Sequence, residues 1–239
     1  MSKLILIRHG QSTWNAENRF TGWVDVDLSE RGVEEAEKSG DLIYKSGVKI
    51  DISYTSYLKR AIKTLTTILN KNKLSLKFHT SWQLNERHYG SLTGLNKDEI
   101  KKKIGEEQFK KYRRSWDIAP PPINENSDFL TNFSPLNHSI PTGMIPFTES
   151  LKDTYERVVP FFDNEIKKNL LSRKNVLITA HGNSLRALCK NLFKISNSKI
   201  NKLEIPTGNP LIIEFDEKFN VIKFNYLDIF RAKQIIFNQ

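Results

Sequence analysis

The stretch LILIRHG occupies residues 4–10, and the stretch VLITAHG occupies residues 176–182. Each is a short apolar run that ends in a His-Gly pair and is followed by a polar turn. A short buried run of this kind is typical of a strand in a parallel sheet. Because parallel strands bring their carboxyl ends to one edge of the sheet, where such folds bind ligands, we expect His9 and His181 to share a pocket.

The chain between these stretches alternates between strand and helix patterns, starting with a helix that Ser29 caps and that ends near Gly47. Further strands are predicted at 51–55, 76–79, 211–215 and 221–224, and further helices at 58–69, 96–105, 106–114, 149–171 and 185–193. Pro160 is expected to kink or divide the helix at 149–171. The alternation predicts an α/β fold, a three-layer α/β/α sandwich with a mostly parallel central sheet.

The length and composition predict one domain over residues 1–239, since 38% hydrophobic residues in 239 can supply one core. Residues 117–147 show little periodicity and are expected to be an inserted loop that is either a lid, a binding loop or plain surface. A short C-terminal tail is expected from about residue 227. The apolar run at 4–7 is too short for a signal sequence or a membrane span, so we expect a cytoplasmic protein.

The net charge of +10 leaves two interpretations open, a surface that binds nucleic acid or membrane and a site for an anionic substrate. The lysines are dispersed over several predicted helices and are not interleaved with aromatic residues on one face, as a nucleic-acid surface would require. We therefore expect neither nucleic acid nor membrane as a partner. The arginines near the His-Gly motifs favour a small anionic substrate.

The sequence Arg8-His9-Gly10 has the features of a phosphate site. Arg8 offers five donors and a fixed charge, Gly10 permits close approach to a ligand, and the following turn offers backbone N–H groups. Beside such a pocket, His9 can attack phosphorus if a backbone carbonyl holds one ring nitrogen and the other is left unprotonated. Arg60 and the pair at 113–114 are further candidates for binding phosphate oxygens.

Glu86 is the best candidate for a general acid or base, because a hydroxyl that gains or loses a phosphoryl group must exchange a proton. A salt bridge between Glu86 and Arg87 in a structural loop is an equally valid interpretation of these residues alone. Two histidines and a glutamate could also form a zinc site. Arg8, directly beside His9, would repel a dication, and we therefore expect no metal.

Seven segments together resemble the cofactor-dependent phosphoglycerate mutases of the histidine phosphatase superfamily. They are residues 6–15, 19–23, 84–90, 94–97, 113–114, 180–186 and 205–208. An Arg-His-Gly motif alone would be typical of the superfamily, whereas the Glu86 loop and the arginine pair resemble the mutase branch. The resemblance covers nearly the whole chain and implies a phosphoglycerate mutase-like fold.

The resemblance implies an isomerase that interconverts 3-phosphoglycerate and 2-phosphoglycerate, with 2,3-bisphosphoglycerate as priming phosphate donor. His9 would carry the phosphoryl group, Glu86 would transfer protons, and His181 would act with Arg8 and Arg60 on the phosphoryl group in transit. The substrate would be held by Arg8, Asn15, Thr21, Gly22, Arg60, Glu86, Arg87, Tyr89, Lys97, Arg113, Arg114, Gly182 and Asn183. A homodimer or homotetramer is expected.

Two alternatives stay open. A phosphatase of the same superfamily would keep the fold and His9 but give the phosphoryl group to water, and the tail after residue 226 is shorter than the mobile tail that helps to close the site in this family. A basic binding protein without catalysis is the other alternative.

Overall fold

The computed structural model describes residues 1–131, 139–141 and 143–233. Its strands are β1 (Ser2–Arg8), β2 (Ile52–Thr55), β3 (Phe78–Thr80), β4 (Val176–Ala180), β5 (Leu211–Phe215) and β6 (Val221–Tyr226). They form one sheet in the order β3-β2-β4-β1-β5-β6. β1 to β4 are mutually parallel, and β5 is antiparallel to both of its neighbours. The predicted mostly parallel sheet is confirmed, with β3 two residues later than expected at its start.

Helices cover both faces of the sheet. They are α1 (Thr13–Ala16), α2 (Glu30–Ser46), α3 (Lys59–Lys71), α4 (Lys97–Ile104), α5 (Glu106–Arg114), α6 (Asp128–Thr131), α7 (Leu151–Phe161), α8 (Lys167–Leu171) and α9 (Gly182–Leu192). The side chains of β1 alternate, so that Ile5 and Ile7 pack against α2 and α3 while Leu4 and Leu6 join the core beneath α7 and α9. This double burial explains the uninterrupted apolar run and confirms the three-layer sandwich. No helix among the described residues is long and apolar enough to cross a membrane.

The helix predicted at 149–171 is divided close to Pro160. Pro160 itself lies inside α7, and a π-helical turn, Phe162–Ile166, follows α7 and leads into α8. Phe162 and Ile166 of the π-helical turn are both fully buried against the sheet.

The helix after β4 begins earlier than the sequence analysis predicts. The expected cap was Asn183 or Ser184, but α9 begins at Gly182 and His181 is its N-cap. Ser184 supports this end of the helix because its hydroxyl accepts a hydrogen bond from the His181 N–H at 3.1 Å. The first turn of α9 therefore lies at the sheet edge itself.

The strand register brings the two His-Gly motifs together. Arg8 is paired with Ala180 at the parallel ends of β1 and β4, and the His9 N–H donates to the Ala180 carbonyl at 3.0 Å. The residues that follow these strands, His9 and His181, consequently lie side by side. The expectation of a shared sheet edge is confirmed.

The segment at 117–147 contains the short helix α6 in its described part; residues 132–138 and 142 lie outside the described residues. The start of this segment is hydrogen-bonded to the loop region after β3, since the Ser91 N–H donates to the Pro121 carbonyl at 2.8 Å. Phe129 of α6 packs edge-on against Trp14 of α1. In the tail, a turn of 3-10 helix spans Ile229–Arg231, and residues 234–239 lie outside the described part.

Two glycines allow α2 to approach the loop after β1. A Cβ atom on Gly10 would lie 2.1 Å from the Gly32 carbonyl oxygen, and one on Gly32 would lie 2.0 Å from the Gln11 carbonyl oxygen. The sequence interpretation of Gly10, close approach to a ligand, is therefore wrong. Gly10 is small because the backbone of α2 passes directly against it.

Gly32→Ala tests this contact. In an unconstrained helix interior the change would stabilise the protein by about 1 kcal/mol. Here the overlap with the Gln11 carbonyl reverses the sign, and we expect a loss of about 1–3 kcal/mol in the free energy of unfolding, measured with urea. Glu37→Ala, at an exposed position of the same helix, is the control and should stay within about 0.5 kcal/mol of wild type. A stabilised Gly32→Ala protein would contradict the close approach.

Candidate active site

The two histidines are buried and their rings are 4.8 Å apart between centroids, at an interplanar angle of 61°. The Nδ1 atom of His9 lies 2.6 Å from the Gly10 carbonyl oxygen, and the Nε2 atom of His181 lies 2.7 Å from the Ser56 hydroxyl. Burial, and then the positive charge of Arg60, hold the pKa of each imidazole well below its usual value. Both rings are therefore neutral at pH 7.

The hydrogen bond to Gly10 fixes the tautomer of His9. A carbonyl oxygen can only accept, so Nδ1 must carry the proton and Nε2 of the neutral ring must be unprotonated. The sequence analysis set this arrangement as the condition for nucleophilic attack. The geometry meets it.

The backbone N–H groups after His9 are used within the protein. Four of them donate to protein oxygens: Gly10 to Thr64, Gln11 to Glu35, Ser12 to Asn15 and Thr13 to Asp27. The expectation that this turn offers N–H groups to an anion is therefore wrong. Any anion beside His9 must be held mainly by side chains.

Arg8 and Arg60 supply such side chains. The Arg60 guanidinium is fully buried and donates to the carbonyls of Val24 and Gly22, both at 2.8 Å. Arg8 donates to the Ile205 carbonyl at 3.0 Å. The Nε atoms of both arginines are buried and have no hydrogen-bond partner among the described residues. Such unsatisfied donors next to His9 are suited to the oxygens of a bound phosphate.

Glu86 joins the site from the loop after β3. Its Oε1 atom accepts hydrogen bonds from the N–H groups of Arg87 at 2.8 Å and Asn183 at 3.0 Å. The carboxylate does not form the alternative salt bridge with the Arg87 side chain, because the Arg87 guanidinium donates to the carbonyls of Tyr112 and Arg113. The carboxylate is 8% exposed and borders the cleft.

The cleft has two lobes that share Arg8, Glu86, Tyr89 and Arg113. The smaller lobe, about 80 Å³, is also lined by His9, Asn15, Arg19, Phe20, Thr21, Gly22, Arg60 and Lys97. The larger lobe, about 310 Å³, is also lined by Arg114, Gly182, Asn183, Arg186, Glu204, Ile205, Pro206, Thr207 and Lys233. The structure thus brings together most residues that the sequence analysis singled out.

Two predicted site residues lie behind the cleft wall. His181 is fully buried against His9 and Ser56 and lines neither lobe, so the expectation that the two histidines share a pocket is wrong, although they lie at one sheet edge. The Arg87 side chain is fully buried and its guanidinium lies 4.6 Å from the centre of the Tyr89 ring. Arg87 supports the ring that lines the cleft and does not itself line either lobe.

Cations in the cleft perturb one another. Burial, followed by the charges of Arg113 and Arg8, lowers the pKa of Lys97 to about 8. Lys97 donates to the Arg19 carbonyl at 2.7 Å, which fixes its ammonium at the mouth of the smaller lobe. Arg114 is paired with Glu204 at 2.5 Å. The cleft is a concentrated region of positive charge.

The sequence analysis assigned no role to Arg186, although the residue lies in a quoted motif. Its buried guanidinium donates to the Asn183 side-chain oxygen at 2.8 Å and to the Ile200 carbonyl at 2.7 Å. The Asn183 amide then donates to the Tyr89 hydroxyl at 3.0 Å. Burial lowers the pKa of Arg186 to about 9. Arg186 follows Asn183 by three residues on a helix, a spacing at which side chains interact, and this spacing could have indicated the contact between them.

A family model described as "Histidine phosphatase superfamily (branch 1)" matches residues 4–226. The chain belongs to the histidine phosphatase superfamily. Its curated relatives include proteins named 2,3-bisphosphoglycerate-dependent phosphoglycerate mutase. That of Pelagibacter ubique is 54% identical over 236 residues, 99% of each chain. That of Staphylococcus carnosus is 50% identical, covering 95% of this chain and all of the relative. The resemblance to the mutase branch is confirmed.

Two solved structures have a similar fold. A mycobacterial glucosyl-3-phosphoglycerate phosphatase superposes with a TM-score of 0.71 at 21% identity, covering 98% of this chain and 100% of the other. An alpha-ribazole phosphatase from Shigella flexneri gives a TM-score of 0.68 at 22% identity, covering 92% and 94%. At these identities the comparison supports the architecture alone.

Neutral buried histidines make stability depend on pH, and His88 allows a test outside the cleft. Burial, and then Arg157, lowers the pKa of His88 to about 4. Below the unfolded value of about 6.5, the unfolded chain binds a proton that the folded chain does not, so stability falls as pH falls. His9 and His181 act in the same direction.

His88→Asn keeps an oxygen that can accept from the Gly90 N–H, as His88 Nδ1 does at 3.0 Å. Urea unfolding between pH 6 and 4.5 should show a pH slope that is smaller than in wild type by about 1.4 kcal/mol per pH unit. An unchanged slope would contradict a neutral His88.

Proposed function

We propose that this protein is a 2,3-bisphosphoglycerate-dependent phosphoglycerate mutase that interconverts 3-phosphoglycerate and 2-phosphoglycerate in the cytoplasm. The observation that carries the proposal is one cleft in which an unprotonated His9 Nε2, a carboxylate and several arginines converge. Mutase names on curated relatives that align over nearly the whole chain support it. One catalytic domain over residues 1–239 and a homodimer or homotetramer remain predictions.

The cleft fits 2,3-bisphosphoglycerate, a small molecule with two phosphates and a carboxylate. The buried Nε atoms of Arg8 and Arg60, which have no hydrogen-bond partner in the described part of the chain, suit one phosphate beside His9. Arg113 and Arg114 of the larger lobe suit the remaining anionic groups. When bound, 2,3-bisphosphoglycerate supplies the phosphoryl group that loads His9. We propose no metal in this role, because buried guanidinium groups would neutralise phosphate charge and repel a dication.

His9 performs the transfer. Its Nε2 lone pair attacks phosphorus, while Nδ1–H stays bound to the Gly10 carbonyl and the ring becomes cationic as the N–P bond forms. Arg8 and Arg60 hold the phosphoryl oxygens, and His181 packs against the His9 ring and limits its rotation. Phospho-His9 then gives the group to the free hydroxyl of the bound monophosphate, and the other phosphoryl group returns to His9.

Glu86 moves the proton in each half-reaction. Its carboxylate takes the hydroxyl proton as the phosphoryl group arrives, and returns it to the departing oxygen when the other phosphoryl group leaves. The hydrogen bonds from Arg87 and Asn183 occupy Oε1 and leave Oε2 for this role. Glu86 lines both lobes, and its Oε2 atom lies 3.6 Å from the position of a Cβ on Gly182.

The remaining predicted residues bind the substrate. Asn15, Thr21 and Gly22 line the smaller lobe with Lys97. The Thr21 hydroxyl is buried without a partner among the described residues, which suits a phosphate oxygen. Gly182, Asn183 and Tyr89 line the larger lobe together with the arginine pair, and Arg87 acts by supporting Tyr89.

The decisive assay follows 3-phosphoglycerate with and without 2,3-bisphosphoglycerate, recording both 2-phosphoglycerate and free phosphate. We expect 2-phosphoglycerate as the dominant product and a strong dependence on the priming compound. Release of free phosphate as the main reaction would support a phosphatase and contradict the proposal. His9→Ala is the matched variant, and it should lose both turnover and the ³²P-labelled phosphoprotein, because His9 Nε2 is the proposed carrier of the phosphoryl group.

The lowered pKa of Lys97 predicts a pH dependence of substrate capture. As pH rises through about 8, the ammonium loses its proton and its attraction for an anionic substrate, so kcat/KM for 3-phosphoglycerate should fall with a slope of one proton. Lys97→Arg keeps the charge, and its pH profile should stay flat to a higher pH. The hypothesis fails if the two profiles decline at the same pH.

A further inference from the structure

Arg157 of α7, whose side chain is 9% exposed, supports the backbone of the loop that carries Glu86. Arg157 donates five hydrogen bonds, three of them to main-chain carbonyls of this loop: Gln83 at 2.6 Å, Asn85 at 3.0 Å and Glu86 at 2.9 Å. The other two go to the carboxylate of Glu149, at 2.6 and 2.9 Å. All five donors of the guanidinium are therefore used.

Glu149 completes the support. Its side chain is 4% exposed, and it neutralises the buried charge of Arg157 through a bidentate pair. Glu149 also binds the same loop at His88. Its carboxylate accepts from the His88 N–H at 2.7 Å, and its own N–H donates to the His88 carbonyl at 3.0 Å. The loop backbone is therefore held on both sides of Arg87, at Glu86 by Arg157 and at His88 by Glu149.

Neither Arg157 nor Glu149 lines either lobe of the cleft. A buried ion pair adds little net stability compared with apolar packing of similar volume. What this pair adds is geometric definition, since a planar guanidinium with five occupied donors fixes three carbonyls in one arrangement. The carboxylate of Glu86 is then fixed from the opposite side by the Asn183 N–H.

We infer that Arg157, paired with Glu149, is a positioning residue for proton transfer by Glu86. The inference rests on the proposed function, in which Glu86 is the general acid and base. Displacement of a reacting group by about 1 Å can lower a rate by about 100-fold. The pair would therefore affect the chemical step more than the binding of the substrate.

The experiment uses two reactions that differ in their need for a proton. Mutase turnover, with 3-phosphoglycerate and 2,3-bisphosphoglycerate, requires protonation of an alcohol leaving oxygen. Release of p-nitrophenolate from p-nitrophenyl phosphate in a single turnover also reports phosphorylation of His9, but the phenolate leaves as a stable anion without a general acid, and the later attack of water on phospho-His9 is not measured. Loss of proton transfer therefore lowers the first reaction selectively, whereas general damage to the site lowers both.

Arg157→Lys keeps the charge but provides three donors in place of the planar set of five. We expect its mutase kcat to fall by about 10- to 100-fold with a KM within about threefold of wild type, and the single-turnover release of p-nitrophenolate to be nearly unchanged. Glu149→Gln is the milder second variant and should show the same selective loss to a smaller degree. Arg173→Lys, in an exposed ion pair, is the control and should leave both reactions unchanged.

A double-mutant cycle with Glu86→Gln distinguishes failure of the positioning role of Arg157 from failure of the proposed function. Glu86→Gln should lower mutase kcat by about 10²–10⁴-fold, and adding Arg157→Lys should lower it little further, because both changes act on one group. Additive losses, or equal losses in both reactions, would overturn the positioning role. Normal mutase turnover in Glu86→Gln itself would instead overturn the proposed function.

Discussion

The parallel pairing of β1 with β4 is the constraint on which the site depends. In-register pairing ends with Arg8 opposite Ala180, and the next hydrogen bond, from the His9 N–H to the Ala180 carbonyl, joins the two motifs. A slip of one residue would turn every side chain of the strand to the other face and expose its apolar residues to the wrong layer. The hydrophobic sandwich therefore sets the relative position of the two imidazoles before either makes a polar contact.

Much of this arrangement was predictable from the sequence, because its cause is local. The apolar runs before His9 and His181 define strands, and the parallel topology then requires a common edge. The helix that Ser29 and Gly47 cap follows from these two residues, and the presence of Pro160 indicated a break in the helix that begins two residues after it. These features need no knowledge of distant contacts.

The parts that the sequence did not reveal depend on contacts between distant segments. The role of Gly10 was misread because the carbonyl that excludes its Cβ belongs to Gly32 of another element. The hydrogen bonds that use the N–H groups after His9 come from three different elements, including Thr64 and Glu35. Arg157 lies 71 residues from Glu86, and nothing in the spacing of the chain indicates that the two meet.

Burial keeps the His9 ring neutral. The cleft beside it is lined by cations that repel one another. Arg60 has its pKa lowered to about 10 and Lys97 to about 8, in each case by burial first and in part by Arg8. A bound polyanion removes this repulsion and favours the protonated form of every such group. Repulsion among the cations of the cleft is therefore relieved most fully by a ligand with charge in both lobes. A molecule with a single phosphate group and no second anionic group would relieve only part of it. The charges that flank His9 therefore favour a small ligand that carries a second anionic group besides its phosphate.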